Sequence, residues 1–157
     1  ILRTGDELTL KLVSNNLPQI GAPAIIAEKD EPQTRDRGVY TGKVEKAVGE
    51  EIVIIMPTHT LSKVGVIVRS KDNGERKASG ILTGRGGSAL LDQVLSNENL
   101  SEGDIVVTSG EGKLPAELLI GTVSKVFKKE SAPWKQGEVG LAIKPENLDY
   151  VFFVSNY

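Results

Sequence analysis

The sequence predicts an all-β protein: two small β-barrel-like domains of short antiparallel strands, with little or no helix. Three observations lead there. The chain of 157 residues carries 16 Val, 12 Ile and 9 Thr, β-branched residues that suit a pleated surface and crowd a helix. Its 17 Gly and 7 Pro supply many turns. Short apolar stretches recur at roughly regular spacing with turn clusters between them, the pattern of sandwiches and barrels. About eleven strands over this length fit two small barrels better than one large sheet. We divide the chain at 1–62 and 63–157, with a terminal strand packing back on the first domain.

The elements follow in order. Residues 7–14 alternate, with Leu8, Leu10 and Leu12 on one face. Pro18 and its neighbours break that strand, and 23–27 form a short apolar run. Residues 28–36 are charged and polar and read as a long exposed loop. Strand character resumes over 38–48, where Tyr40, Val44 and Val48 share a face and Lys43 and Glu45 take the other. An apolar run follows at 51–56 and is closed by Pro57, a candidate central strand.

Residues 63–69 alternate, with Val64, Val66 and Val68 on one side. Asn73-Gly74 is a strong hairpin signal, because both residues tolerate positive φ. A two-residue turn there pairs Asp72 with Glu75, and counting outward pairs Val68 with Ser79, Val66 with Ile81 and Val64 with Thr83 on the core side. Further strands are read at 76–83, 89–95, 104–108, 118–127, 139–144 and 151–154. A charged loop containing Lys128, Lys129, Glu130 and Trp134 occupies 128–137. The one good helix start, Pro145-Glu146-Asn147-Leu148, allows a single turn.

Composition removes several functions. With 19 Lys+Arg against 21 Asp+Glu and a pI near 5.5, the chain lacks the basic footprint of a nucleic-acid binder. No Cys means no disulfide framework, thiolate metal site or cysteine nucleophile, and one His excludes a multi-histidine centre. Seven aromatic residues are few for base stacking. No run approaches the ~18 apolar residues of a membrane span, and no signal peptide is visible. The chain begins at Ile1 rather than Met, so it is expected to be a fragment whose targeting information lies upstream. No cofactor or metal site is expected.

Individual motifs have plain readings. Gly84-Arg85-Gly86-Gly87 lies among strands and reads as a turn rather than a phosphate cradle. Gly112-Lys113 fails as a P-loop end, because Val107 and Leu114 stand where Gly and Ser or Thr are needed. His59, Asp92 and Ser109 stand in the chain order of barrel-type serine proteases, but order alone is weak, and no Gly-x-Ser-x-Gly is present. Glu50-Glu51, Glu28/Asp30/Glu31 and Glu146/Asp149 read as solvated edges. Trp134 follows Pro133 in a charged stretch, and Phe152 and Phe153 must point to opposite faces of a strand. These aromatics either pack between the two barrels or form a protein-binding patch. Trp134 and Phe152 are the candidate binding residues.

From Gly38 onward the sequence resembles a known family, the rod shape-determining protein MreC. Gly38-Val39-Tyr40-Thr41-Gly42-Lys43-Val44 resembles its Gly-hydrophobic-x-Gly-x-Val strand. Residues 64–68 leading to 79–84 resemble its V-x-V and G-I-L-x-G hairpin. Residues 102–110, EGDIVVTSG, resemble its V-G-D-x-V-V-T-S-G signature, and Pro115 with Ile120-Gly121-Thr122-Val123 resembles the continuation. Lys144-Pro145-Glu146-Asn147-Leu148 and 151–154 resemble its closing segment. About 120 residues match in the family's order.

The resemblance implies a non-catalytic scaffold of the cell-elongation machinery that organises peptidoglycan synthases by protein–protein binding. It implies two β-domains on the extracytoplasmic side of the cytoplasmic membrane, below a coiled coil and a single N-terminal membrane helix. Implied partners are class B penicillin-binding proteins, RodA-type and MreD-type membrane proteins, and further copies of the chain. The signature residues Gly103, Asp104, Thr108, Ser109 and Gly110 would then be structural. Two rivals stand beside this reading: a barrel-type serine hydrolase using Ser109 with His59, and a periplasmic adaptor domain of a transport system.

Overall fold

The computed structural model describes residues 1–12, 17–26, 38–112, 114–128, 131–148 and 151–154. The acidic group Glu28/Asp30/Glu31 and its loop lie outside the described residues, as do Lys113, Lys129, Glu130 and Asp149. Twelve strands and one short 3-10 helix make up the regular structure among the described residues. They are β1 (Leu2–Thr4), β2 (Glu7–Lys11), β3 (Pro23–Ile26), β4 (Val39–Val48), β5 (Glu51–Ile55), β6 (Lys63–Arg69), β7 (Arg76–Gly84), β8 (Ala89–Leu95), β9 (Ile105–Thr108), β10 (Leu119–Phe127), β11 (Trp134–Leu141) and β12 (Phe152–Phe153). The helical turn is Pro145–Asn147, placed where the sequence allows a single turn. No helix among these residues is long and apolar enough to cross a membrane.

The all-β expectation holds. Six strands close a barrel in the order β6-β7-β8-β11-β10-β9, with β9 returning to β6. All of its pairings are antiparallel. The other six run β1-β2-β5-β4-β3-β12, again antiparallel. The two parts meet where Val39 of β4 pairs in parallel with Leu119 of β10.

There are two apolar clusters, and alternation along shared strands serves both. Tyr40, Val106, Leu118 and Ile120 are buried with the barrel valines 64, 66 and 68. Their neighbours Val39, Val107 and Leu119 are buried in the second cluster, with Leu8, Ile52 and Ile54. Where β4, β9 and β10 meet, the inner and outer faces are therefore both apolar. A strand covered on both faces carries apolar residues at successive positions, as Ile105, Val106 and Val107 do in β9.

The hairpin at Asn73-Gly74 forms, but its register differs from the count by one residue. Val64, Val66 and Val68 oppose Leu82, Gly80 and Ala78, not Thr83, Ile81 and Ser79. The three valines are buried as expected, and Ala78 and Leu82 are buried facing them. The turn is longer than two residues. Ser70 N–H donates to Glu75 O (2.8 Å) and Gly74 N–H to Ser70 O (2.9 Å). A bulge then leaves Lys77 unpaired, because Val68 opposes Ala78 while Arg69 opposes Arg76. In a strand, a one-residue slip moves every side chain to the other face.

Two further corrections arise from local geometry. Tyr40, Val44 and Val48 do not share a face: Tyr40 packs in the barrel core and Val44 in the sheet cluster, because Thr41 is an extra residue against β3, and Val48 is exposed. A bulge at Glu45 shifts the pairing from Val44↔Ile54 to Lys46↔Val53 and Ala47↔Ile52, so Ala47 takes the inward position. Trp134 does not lie in a loop. β11 begins at Trp134, and residues 134–137 pair with β8 and β10. The outer face of a barrel is free to be polar, so charge in this stretch did not exclude a strand.

Candidate functional site

The signature segment is a tightly bonded junction. Gly103 takes φ +89 and donates its N–H to Val123 O (2.7 Å). Asp104 follows and is buried. Its Oδ2 accepts from Ser101 N–H (2.9 Å) and Lys77 Nζ (2.6 Å), and Lys77 is the residue released by the hairpin bulge. Ile105 and Val107 face the sheet cluster while Val106 faces the barrel core. Thr108 is fully buried; its hydroxyl donates to Pro115 O (2.7 Å) and accepts from Leu118 N–H (2.9 Å). It thereby closes the excursion between β9 and β10. Gly110 has φ +89, and a Cβ there would stand 3.0 Å from the Ala116 methyl.

Glu117, at the end of this excursion, holds a non-glycine positive φ of +68. Arg69 grips its carboxylate with two bonds, Nε to Oε2 at 3.0 Å and Nη2 to Oε1. The hydrogen bond to Glu117 raises the pKa of the Arg69 guanidinium above its ordinary value, partial burial opposes this, and the carboxylate's charge adds to the rise. The contact helps hold the strained backbone of Glu117 in place.

These bonds separate the roles of neighbouring hydroxyls. Thr108→Val keeps the shape but leaves the buried Leu118 N–H without an acceptor, and should lower stability by about 2 kcal/mol. Among the described residues, the Ser109 hydroxyl accepts from Glu111 N–H (3.3 Å) in an exposed contact. Ser109→Ala should cost at most about 1 kcal/mol. Urea denaturation of the two variants side by side measures the difference.

His59, Asp92 and Ser109 belong to three separate networks. Asp92 Oδ1 accepts from Gln93 N–H (2.8 Å) and Gln136 Nε2 (3.1 Å). His59 Nδ1 accepts the Leu61 N–H (3.0 Å), and Nε2 lies 3.5 Å from Glu7 Oε1. A ring nitrogen that accepts an N–H bears no proton, so the ring proton is assigned to Nε2. His59 then has no free lone pair with which to take a proton from a serine. The same assignment bears on metal binding. Glu7, Glu45 and His59 place one ligand atom each within 4.8 Å. The histidine presents a donor there, whereas a metal needs a lone pair backed by a donated N–H on the other nitrogen. The cluster fits a polar latch between β2 and the 56–62 connection better than a metal centre.

The candidate binding aromatics are both exposed and sit on different parts of the fold. Trp134 is 48% exposed at the start of β11, opposite Leu95, itself 57% exposed. Phe127, 38% exposed, opposes Gln136 two residues along the same strand, and Lys125 Nζ stands 5.4 Å from its ring centroid. Cross-strand register thus gathers Leu95, Trp134 and Phe127 on the outer barrel face. Leu95 and Phe127 escaped the sequence reading because their convergence depends on pairing and not on spacing. Phe152 lies on the edge strand β12 opposite Ile25 and is 51% exposed, while Phe153 packs against the sheet cluster.

The comparisons agree with this architecture. The family described as rod shape-determining protein MreC, barrel core, matches residues 27–155. The chain belongs to the MreC family. That span takes in the whole closed barrel and strands β4, β5 and β12 of the adjoining MreC sheet, while β1, β2 and β3 precede it. A crystal structure of MreC from Pseudomonas aeruginosa matches with a TM-score of 0.76 at 23% identity, over 96% of this chain and 90% of the other. The major periplasmic domain of the cell shape-determining filament MreC, in a monoclinic form, matches with a TM-score of 0.69 at 23% identity, over 100% and 94%. A complex between a penicillin-binding protein (PBP2) and MreC from Helicobacter pylori matches with a TM-score of 0.63 at 16% identity, over 94% and 85%. No curated protein matches the chain.

Proposed function

We propose that this protein is a non-catalytic extracytoplasmic scaffold that helps organise peptidoglycan synthesis by binding a class B penicillin-binding protein. The observation that carries the reading is the family match over residues 27–155. The neighbour solved as a PBP2–MreC complex supports the choice of partner. The neighbour described as a major periplasmic domain supports the location. Tethering by an N-terminal membrane segment, contact with RodA-type and MreD-type proteins, and self-association belong to the same proposal. So does the division into a first domain, 1–62, and a second, 63–157.

In this reading the work is done by binding and positioning, and no cofactor, metal or nucleophile is required. The bonds of Gly103, Asp104, Thr108, Ser109 and Gly110 support a structural role for the signature. Trp134 and Phe152 are the proposed contact residues. Exposed aromatic side chains framed by polar groups are favoured anchors in protein interfaces, and truncating such an anchor often costs ~2 kcal/mol or more. Trp134→Ala should therefore weaken binding to the penicillin-binding protein, read by biolayer interferometry, while leaving the thermal midpoint nearly unchanged. A large fall in the midpoint with unchanged affinity would make Trp134 a stabilising residue of the barrel.

A further inference from the structure

We propose that Asn73 is a site of spontaneous covalent modification, converting to aspartyl and isoaspartyl residues in the folded protein. Of the asparagines in the chain, Asn73 alone precedes a glycine. It is exposed at the turn between β6 and β7, beyond the last ladder pair, Arg69↔Arg76. Amide side chains are among the thermolabile groups of proteins. In this reaction the backbone nitrogen of the next residue is the nucleophile. A glycine leaves that nitrogen unhindered and frees its backbone to reach the required geometry.

The turn also polarises the electrophile. Asn73 Oδ1 accepts the Glu75 N–H at 3.0 Å, which places a donor where negative charge develops when the side-chain carbonyl is attacked. Hydroxide removes the Gly74 amide proton, the nitrogen bonds to Asn73 Cγ, and Nδ2 leaves as ammonia to give a cyclic imide. One water then opens the ring. Attack at Cγ restores the normal backbone with aspartate at 73. Attack at the backbone carbonyl leaves the chain running through the β-carboxyl. The contact that must open is Gly74 N–H to Ser70 O (2.9 Å). It lies in a turn where Asp72 and Asn73 are exposed and a Cβ on Gly74 would meet no described atom within 4 Å.

The isoaspartyl product lengthens the backbone beside Gly74, whose carbonyl accepts from Arg69 Nη1 at 3.2 Å. That loosens the turn from the arginine that grips Glu117. The new negative charge falls between Asp72 and Glu75.

The folded protein is held in mildly alkaline buffer at body temperature, with its circular dichroism monitored. Ion-exchange chromatography and peptide mapping follow the products. The expected result is a growing acidic species, with isoaspartate located at position 73 and absent from Asn73→Gln, whose longer side chain cannot close the five-membered ring. Asn73→Asp supplies the reference for the normal-backbone product. Conversion of the corresponding synthetic peptide while Asn73 in the folded protein stays intact over the same period would overturn the proposal. Acidic species that persist in Asn73→Gln would overturn it too.

Discussion

Replacing Gly84 by alanine should abolish cooperative folding or destabilise the protein by about 4 kcal/mol or more, a size kept for a few named mechanisms of which backbone collision is one. A Cβ at this position would lie 1.8 Å from the backbone oxygen of His59 and 2.5 Å from its carbonyl carbon. Neither atom can swing aside as a side chain would. The segment that must move connects the sheet to the barrel, and it is pinned to this turn by Gly84 N–H to Ser62 O (3.0 Å) and Gly86 N–H to Thr58 O (2.9 Å). Gly86→Ala is the control. Its φ is +80 but its nearest neighbour, Thr60 Cγ2, stands at 3.9 Å, so the cost should be only about 1–2 kcal/mol for a left-handed alanine. Denaturant melts of both variants separate collision from conformation.

Asp104→Ala should have the next largest effect, a loss of about 3 kcal/mol in a denaturant melt. The carboxylate is almost fully buried and satisfies both Lys77 Nζ and Ser101 N–H. Removing one partner of a buried pair costs far more than the pair's net worth, because the remaining group is stranded. The Lys77 side chain retains some access to water, which keeps the expected loss at the lower end of the roughly 3–5 kcal/mol typical of a broken buried pair. In a double-mutant cycle, Lys77→Ala should recover part of the loss, since it removes the stranded charge. A purely additive cycle would show that Asp104 acts through Ser101 alone.

Strand positions were legible in the sequence wherever one face meets the core. Leu8 and Leu10, and Val64, Val66 and Val68, alternate and are buried as read. Pairing was less legible, because it depends on turn length and bulges that leave little trace in composition. The hairpin slipped by one residue because its turn closes through Ser70 and Glu75. Val48 turned outward because Glu45 is an extra residue in β4. The surface suffered most from the same cause. Trp134 was identifiable as an aromatic residue out of place, but Leu95 and Phe127 join it only through the β8–β11–β10 register. The signature was visible as a string of residues. Its physical content, the Asp104–Lys77 pair and the two bonds of the Thr108 hydroxyl, was not, because Lys77 and Pro115 reach these residues only in three dimensions.

The scaffold role rests on binding to a class B penicillin-binding protein, and an affinity measurement in solution decides it. The extracytoplasmic part of that protein from the same organism is titrated against this chain and against the variants Ser109→Ala, His59→Ala and Trp134→Ala. Binding should be saturable, left intact by Ser109→Ala and His59→Ala and weakened roughly tenfold or more by Trp134→Ala, the scale of a lost interface anchor. No binding by the folded, unsubstituted chain, or a hydrolytic activity that disappears in Ser109→Ala, would contradict the scaffold role.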